Sequence, residues 1–270
     1  MLRKIYYLLS PSLRLLVRRL VFLPLDLWKP SKELMPPKGM IYTGGGNFKQ
    51  QGEQWIRMFK QYGKLNEQTT VLDIGSGIGR IAIAMTPFLK ANYEGFDAVE
   101  QGVNWCAQNI SKQYPNFSFT YVNLFNDLYK SNGVNAATFK FPYKANYFNF
   151  ACAISVFTHL QPNELTNYLS QTYSVLATNG YFIATFFILD PESKKLMQND
   201  STFNFKHLFG HYALMDKEVK AANVAFDETY LLDQINKVGF TIETQIKGYW
   251  CGREKTNNND FQDILVLKKQ

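Results

Sequence analysis

Residues 69–85 read "TTVLDIGSGIGRIAIAM". A hydrophobic run ends at Asp73 and Ile74, three glycines alternate with other residues (Gly75, Gly77, Gly79), and a new apolar pattern begins. Glycine accepts backbone conformations closed to other residues and lets a ligand approach the main chain. In open α/β sheets such turns lie beyond the carboxyl ends of strands, where ligands bind at the switch in strand order. Two phosphate-binding patterns fail here. A triphosphate-binding loop needs Lys and then Ser or Thr after its last glycine, but Arg80 and Ile81 follow Gly79. A dinucleotide fingerprint places its third small residue at position 80, which is Arg80, so the third glycine comes one residue early.

Outward from this turn, strand-like runs alternate with helical stretches. The pattern predicts strands over 70–74, 92–97, 117–122, 148–154, 180–187, 240–246 and 261–267. Helices are predicted over 50–62, with Trp55, Ile56 and Phe59 on one face, and over 79–90, 99–112, 162–177 and 228–238. Alternation of this kind specifies an α/β fold with a mostly parallel sheet and helices on both faces. Residues 247–260 are too short for a crossover helix, so the last two strands should pair as an antiparallel hairpin. Residues 190–226 break the rhythm and are dense in aromatics, which points to a small cap insert over the mouth of the sheet. Two regions follow: an arm and linker over 1–38, and one domain over 39–270 carrying the insert.

"VLDIGSGIGR", "YEGFDAV" and "FNFACAISVFTHLQPNELTNYLSQTYSVLATNGYFIATFF" resemble successive motifs of class I S-adenosylmethionine-dependent methyltransferases, over residues 50–267. The resemblance implies a Rossmann-like seven-stranded sheet with a C-terminal antiparallel hairpin, and S-adenosylmethionine as cofactor. It assigns Asp73, Gly75, Gly77 and Gly79 to the methionine end of the cofactor, Asp97 to the ribose and Ala98 to the adenine side. Asp97 also reads as a cap for the helix starting near Val99. Many relatives meet the adenine amino group with an Asp after the third strand; this chain has Asn123, whose carbonyl still accepts that bond. Ser155 and Val156, leaving the fourth strand, would line the reactive methyl. Gly44, Gly45, Gly46 and Phe48 look like the segment that closes over the cofactor in relatives, or an ordinary turn.

The net charge of +7 belongs to one segment. Residues 1–32 carry seven basic side chains and Asp26, a net +6, and the remaining 238 residues carry +1. A basic groove for nucleic acid across the main domain is therefore not expected. Arg14, Arg18 and Arg19 break any run long enough to span a membrane, and no cleavage site marks a secretory signal. A helix from Ser12 puts those arginines on one side and Leu13, Leu16, Val17, Leu20 and Leu23 on another. Such a basic amphipathic helix lies in a membrane interface, or packs on its own domain or a second subunit. Peripheral membrane contact through residues 1–27 and a cytoplasmic location are the resulting expectations; three cysteines without a paired spacing fit a reducing compartment.

Methyl transfer needs an acceptor aligned with the activated methyl group, and an alcohol acceptor also needs a base. His159, His207 and His211 are the candidates. His159 lies just past the fourth strand, before an N-cap expected at Asn163, and also reads as a structural residue of that turn. His207 and His211 lie in the insert, where Phe203, Phe205, Phe209 and Tyr212 would form a wall for the acceptor. Tyr249, Trp250 and Arg253, at the turn of the closing hairpin, are a further set that would face the acceptor, with packing the safer role for Trp250. No cluster has metal-ligand spacing, the Pro-rich motif of amino-nitrogen methyltransferases is missing, and Cys152 lacks the context of a cytosine-C5 nucleophile. A small-molecule, lipid or glycan acceptor, methylated at oxygen, is the expectation. The alternative is a non-catalytic protein of the same fold that binds cofactor or partners.

Overall fold

The computed structural model describes residues 11–28, 34–42, 44, 46–125, 133–198 and 203–270. Parts of the predicted arm, linker and insert, and Gly45, lie outside these. Among the described residues the strands are β1 (Val71–Ile74), β2 (Tyr93–Asp97), β3 (Phe117–Tyr121), β4 (Phe148–Ala153), β5 (Leu176–Phe186), β6 (Ile188–Leu189), β7 (His207–Phe209), β8 (Tyr212–Leu214), β9 (Val224–Asp227), β10 (Phe240–Ile246) and β11 (Asp263–Lys269). The helices are α1 (Pro11–Trp28), α2 (Phe48–Gly63), α3 (Arg80–Met85), α4 (Glu100–Cys106), α5 (Pro162–Val175), α6 (Pro191–Met197) and α7 (Glu228–Val238). Seven strands form one sheet in the order β10-β11-β5-β4-β1-β2-β3. The pairs β1/β2, β2/β3 and β4/β5 are parallel. β11 runs antiparallel to both β5 and β10, as the short final connection required.

The chain divides into two compact units: residues 1–61 with 65–133, and residues 62–64 with 134–270. In the first, all four residues of β1 are buried, as a parallel strand covered on both faces demands. Trp55, Ile56 and Phe59 of α2 are buried together. α3 is shorter than the helical pattern over 79–90 because Pro87 lacks the N–H that would extend the ladder. α4 runs on as a single wide turn over Ala107–Ser111, filling the rest of the predicted helix.

In the second unit, α5 starts from Gln161 rather than the expected Asn163. Pro162 takes the first helical position, and the Gln161 N–H donates to the Glu164 carboxylate at 2.6 Å. β5 begins directly after α5, four residues before the predicted start. The Asn179–Gly180 dipeptide that resembles a turn sits inside the strand, Asn179 at φ 64°, where the register against β4 slips. The insert holds more structure than its sequence announces: β7, β8 and β9 form a second sheet of very short strands with β6, just before the predicted insert, in the order β6-β9-β8-β7.

Candidate cofactor and acceptor sites

The glycine turn has the conformation its sequence requires. Gly75, Gly77 and Gly79 lie at φ 73°, 58° and 80°, a region that costs a residue with a side chain roughly 1–2 kcal/mol. The N–H groups of Gly75 and Ser76 both donate to the Phe96 carbonyl, at 2.9 and 3.0 Å, fastening the turn to the end of β2. A methyl group at position 79 would sit 2.8 Å from both Cys106 Sγ and Ile110 Cδ1, so α4 and its extension press on the turn. One at position 102 would lie 2.6 Å from the Gly77 carbonyl oxygen.

Asp97 ends β2 and reaches back into this turn. Its Oδ2 accepts from the Gly77 N–H at 2.8 Å and its Oδ1 from the Val99 N–H at 2.7 Å. It therefore holds the turn and the entry to α4, but it is not the cap the sequence allowed: the N-cap position is Val99, and no side chain caps this helix. Burial pushes its pKa up from 3.8 to about 6, against the pull of the backbone N–H groups of Val99, Gly77 and Ala98. Among the described residues no cation pairs with it. A carboxylate offers about four lone-pair positions, so these bonds leave capacity for a hydroxyl donor. Asp73, buried within β1, accepts from the Tyr93 hydroxyl. Ala98 is partly exposed, and Asn123 is exposed just beyond β3. The donor set and the close-packed, left-handed turn fit the amino-acid and ribose ends of S-adenosylmethionine.

A residue used in the sequence only to exclude the two phosphate-binding patterns turns out to organise this unit. The Arg80 guanidinium donates to Gln51 Oε1 and lies 4.8 Å from the centre of the Phe48 ring. A methyl group on Gly44, at φ 67°, would meet both of its terminal nitrogens at 2.8 Å. Arg80 thus holds Gly44, Phe48 and Gln51 beside the glycine turn. The signal available in sequence was its place one residue after Gly79, but nothing there named its partners.

In the second unit, Ser155 leaves β4 in the left-handed region, at φ 59°. Its N–H donates to Thr185 Oγ1 at 2.7 Å, and its hydroxyl donates to Gln262 Oε1 at 2.9 Å. Held strain of this kind clusters at functional sites. Four residues on, His159 Nδ1 lies 2.6 Å from the Ala221 carbonyl oxygen. Only a protonated Nδ1 makes that bond, so the neutral ring keeps its Nε2 as an acceptor. The turn after β4 is thereby tied to the insert.

The other acceptor candidates separate. His211 is exposed, its ring stacked on Tyr230 with centroids 3.9 Å apart, and His207 is partly buried at the start of β7. Phe205 is buried with Phe187 and Trp250, and Phe203 packs against that cluster. These two phenylalanines build the insert's core instead of the expected wall. Phe209 stacks on Tyr212 at 5.2 Å in an exposed hairpin. In the closing hairpin, Tyr249 is partly exposed with its ring edge-on to Phe261. Trp250 donates to Asp263 Oδ2 at 2.7 Å, and Arg253 makes a two-pronged bond to Asp190 at 2.7 and 2.8 Å. Both are structural. Among the described residues, no group of three His, Cys, Asp or Glu side chains is arranged to hold a metal.

The family model for a methyltransferase domain matches residues 48–245, and the chain belongs to that family. Its fold is shared by an S-adenosylmethionine-dependent methyltransferase from Clostridium acetobutylicum (12% identity, 83% of this chain and 92% of that one, TM-score 0.54). A methyltransferase of the same description from Methanosarcina mazei is also similar (19% identity, 78% and 96%, TM-score 0.52). So is the 4+2 cyclase SpnF (12% identity, 93% and 92%, TM-score 0.55).

Proposed function

We propose that the protein binds S-adenosylmethionine at the 75–79 turn and transfers its methyl group to an oxygen of a small-molecule, lipid or glycan acceptor. The observation that carries the reading is the pairing of three left-handed glycines with Asp97, a carboxylate that no cation among the described residues neutralises. When bound, the cofactor supplies an already activated methyl on its sulfonium. What this chain contributes is orientation. The turn backbone receives the amino-acid end, Asp97 accepts from the ribose, and Arg80 holds Phe48 and Gln51 beside them. His159 is the proposed base, because its Nδ1 bond fixes the tautomer in which Nε2 carries the accepting lone pair.

The cyclase among the fold neighbours keeps a second reading in view, a protein of this fold with another chemistry or none. Incubation with methyl-labelled S-adenosylmethionine and pooled sugar, phenol and lipid acceptors separates the two. Label in an acceptor, cut by about 10²–10⁴-fold in His159→Asn at unchanged cofactor affinity, is the expected outcome. Cofactor binding with no label in any pool favours the second reading.

A further inference from the structure

We infer that α1 is a docking face for an anionic lipid bilayer, on which the helix lies without crossing. Nine of the fourteen exposed large apolar side chains among the described residues lie on this helix: Leu13, Leu16, Val17, Leu20, Val21, Leu23, Leu25, Leu27 and Trp28. A soluble monomer scatters such residues singly, and a contiguous patch marks an interaction surface.

The direction of the helix makes the patch informative. At 3.6 residues per turn, Leu15, Arg18, Phe22 and Asp26 form a narrow stripe, and these are the half-buried positions among those described. The Asp26 carboxylate accepts from the N–H groups of Lys38 and Gly39, at 2.7 and 3.0 Å. A methyl group on Gly39 would lie 3.0 Å from Arg19 Cα, so the helix backbone is seated directly on this turn. The helix is thus anchored by its one acidic residue and turns its apolar face outward. Arg18 and Arg19 stand on opposite borders of the anchored stripe, with Arg18 lying 5.2 Å from the Phe22 ring centre. Long cationic side chains at the edges of an apolar face carry their charge to the level of lipid headgroups.

Charge chooses the occupant. The +6 of residues 1–32 is nearly all of the chain's +7. It attracts a negative surface and opposes a second copy of the same helix, which would bring +6 against +6. No described helix is long and apolar enough to cross a membrane. Trp28, 78% exposed at the end of the helix, suits the headgroup boundary that indole rings favour.

Flotation of the full-length protein with vesicles tests this, and its result is independent of the cofactor assignment. Phosphatidylcholine vesicles containing about 30% phosphatidylglycerol should carry the protein, whereas pure phosphatidylcholine should carry about tenfold less. Leu16→Glu combined with Leu20→Glu changes two exposed positions and should abolish flotation while the melting temperature stays put. Brominated acyl chains should quench tryptophan emission in the wild type and much less in Trp28→Phe. Equal binding to both vesicle types, or an unaffected double variant, overturns the proposal. So does a stable dimer in solution that the double variant dissociates, because the face would then be covered by protein.

Discussion

Asp263 and Asp97 are both carboxylates drawn out of water at strand ends, and burial lifts each to a pKa of about 6. Their surroundings differ. Asp263 accepts from the N–H groups of Ile188 and Gly248 and from the Trp250 indole, and faces Arg253 at 3.4 Å. Arg253 in turn clasps Asp190, which also meets Lys247 at 2.9 Å. Every partner belongs to the same unit, and the result locks the 247–263 connection to the insert. Among the described residues Asp97 has only the backbone N–H groups of Gly77 and Val99 as hydrogen-bond partners and no counter-cation. A buried acid surrounded by matched donors is structural, whereas one held in place with lone pairs to spare is poised for a ligand.

The largest effect that would break this contrast belongs to the structural acid. Asp263→Ala strands three donors and leaves Arg253 short of a partner, so urea unfolding should register a loss of about 3–5 kcal/mol. Cofactor affinity of the folded protein should not change. A loss under about 1 kcal/mol would mean the network is decorative. Asp97→Ala should do the reverse, weakening S-adenosylhomocysteine binding by about 1–3 kcal/mol with little loss of stability. Unaltered affinity would remove Asp97 from the site.

The pH dependence sharpens the same comparison at smaller amplitude. Folding raises the Asp97 pKa from 3.8 to about 6, so its stabilising contribution is complete below its unfolded value and is lost as pH rises through 6. At neutral pH the unliganded protein therefore holds a costly carboxylate that ribose hydroxyls relieve. Cofactor affinity should be highest above pH 6 and fall by up to about tenfold per unit below it. Asp97→Asn should flatten the profile in calorimetric titrations; a wild-type profile that is already flat from pH 5 to 7.5 would contradict the role.

The same contrast explains what the sequence could and could not tell. The turn was readable because its signals are local: glycine spacing, the following Arg80 and the acid one strand away fix backbone geometry within about 25 residues. The closing hairpin was readable from the length of its connection. By contrast, the roles of Arg253, Asp190 and Trp250 depend on pairings across 10 to 63 positions, which no local pattern encodes. The second sheet escaped for a related reason. Its strands are two to four residues long, too short for alternation to register. Phe203 and Phe205 resembled a binding wall because aromatic density alone does not distinguish a core from a surface. Asn163 was overruled as a cap because Pro162 is better suited to the first helical position.

Equilibrium titration of the wild-type protein with S-adenosylhomocysteine, beside NAD and ATP as controls, tests the central claim most directly. The geometry of the turn and Asp97 predicts one saturable site for S-adenosylhomocysteine and no measurable heat from either control. Silence with S-adenosylhomocysteine, or tighter binding of a pyrophosphate-bearing control, would contradict it.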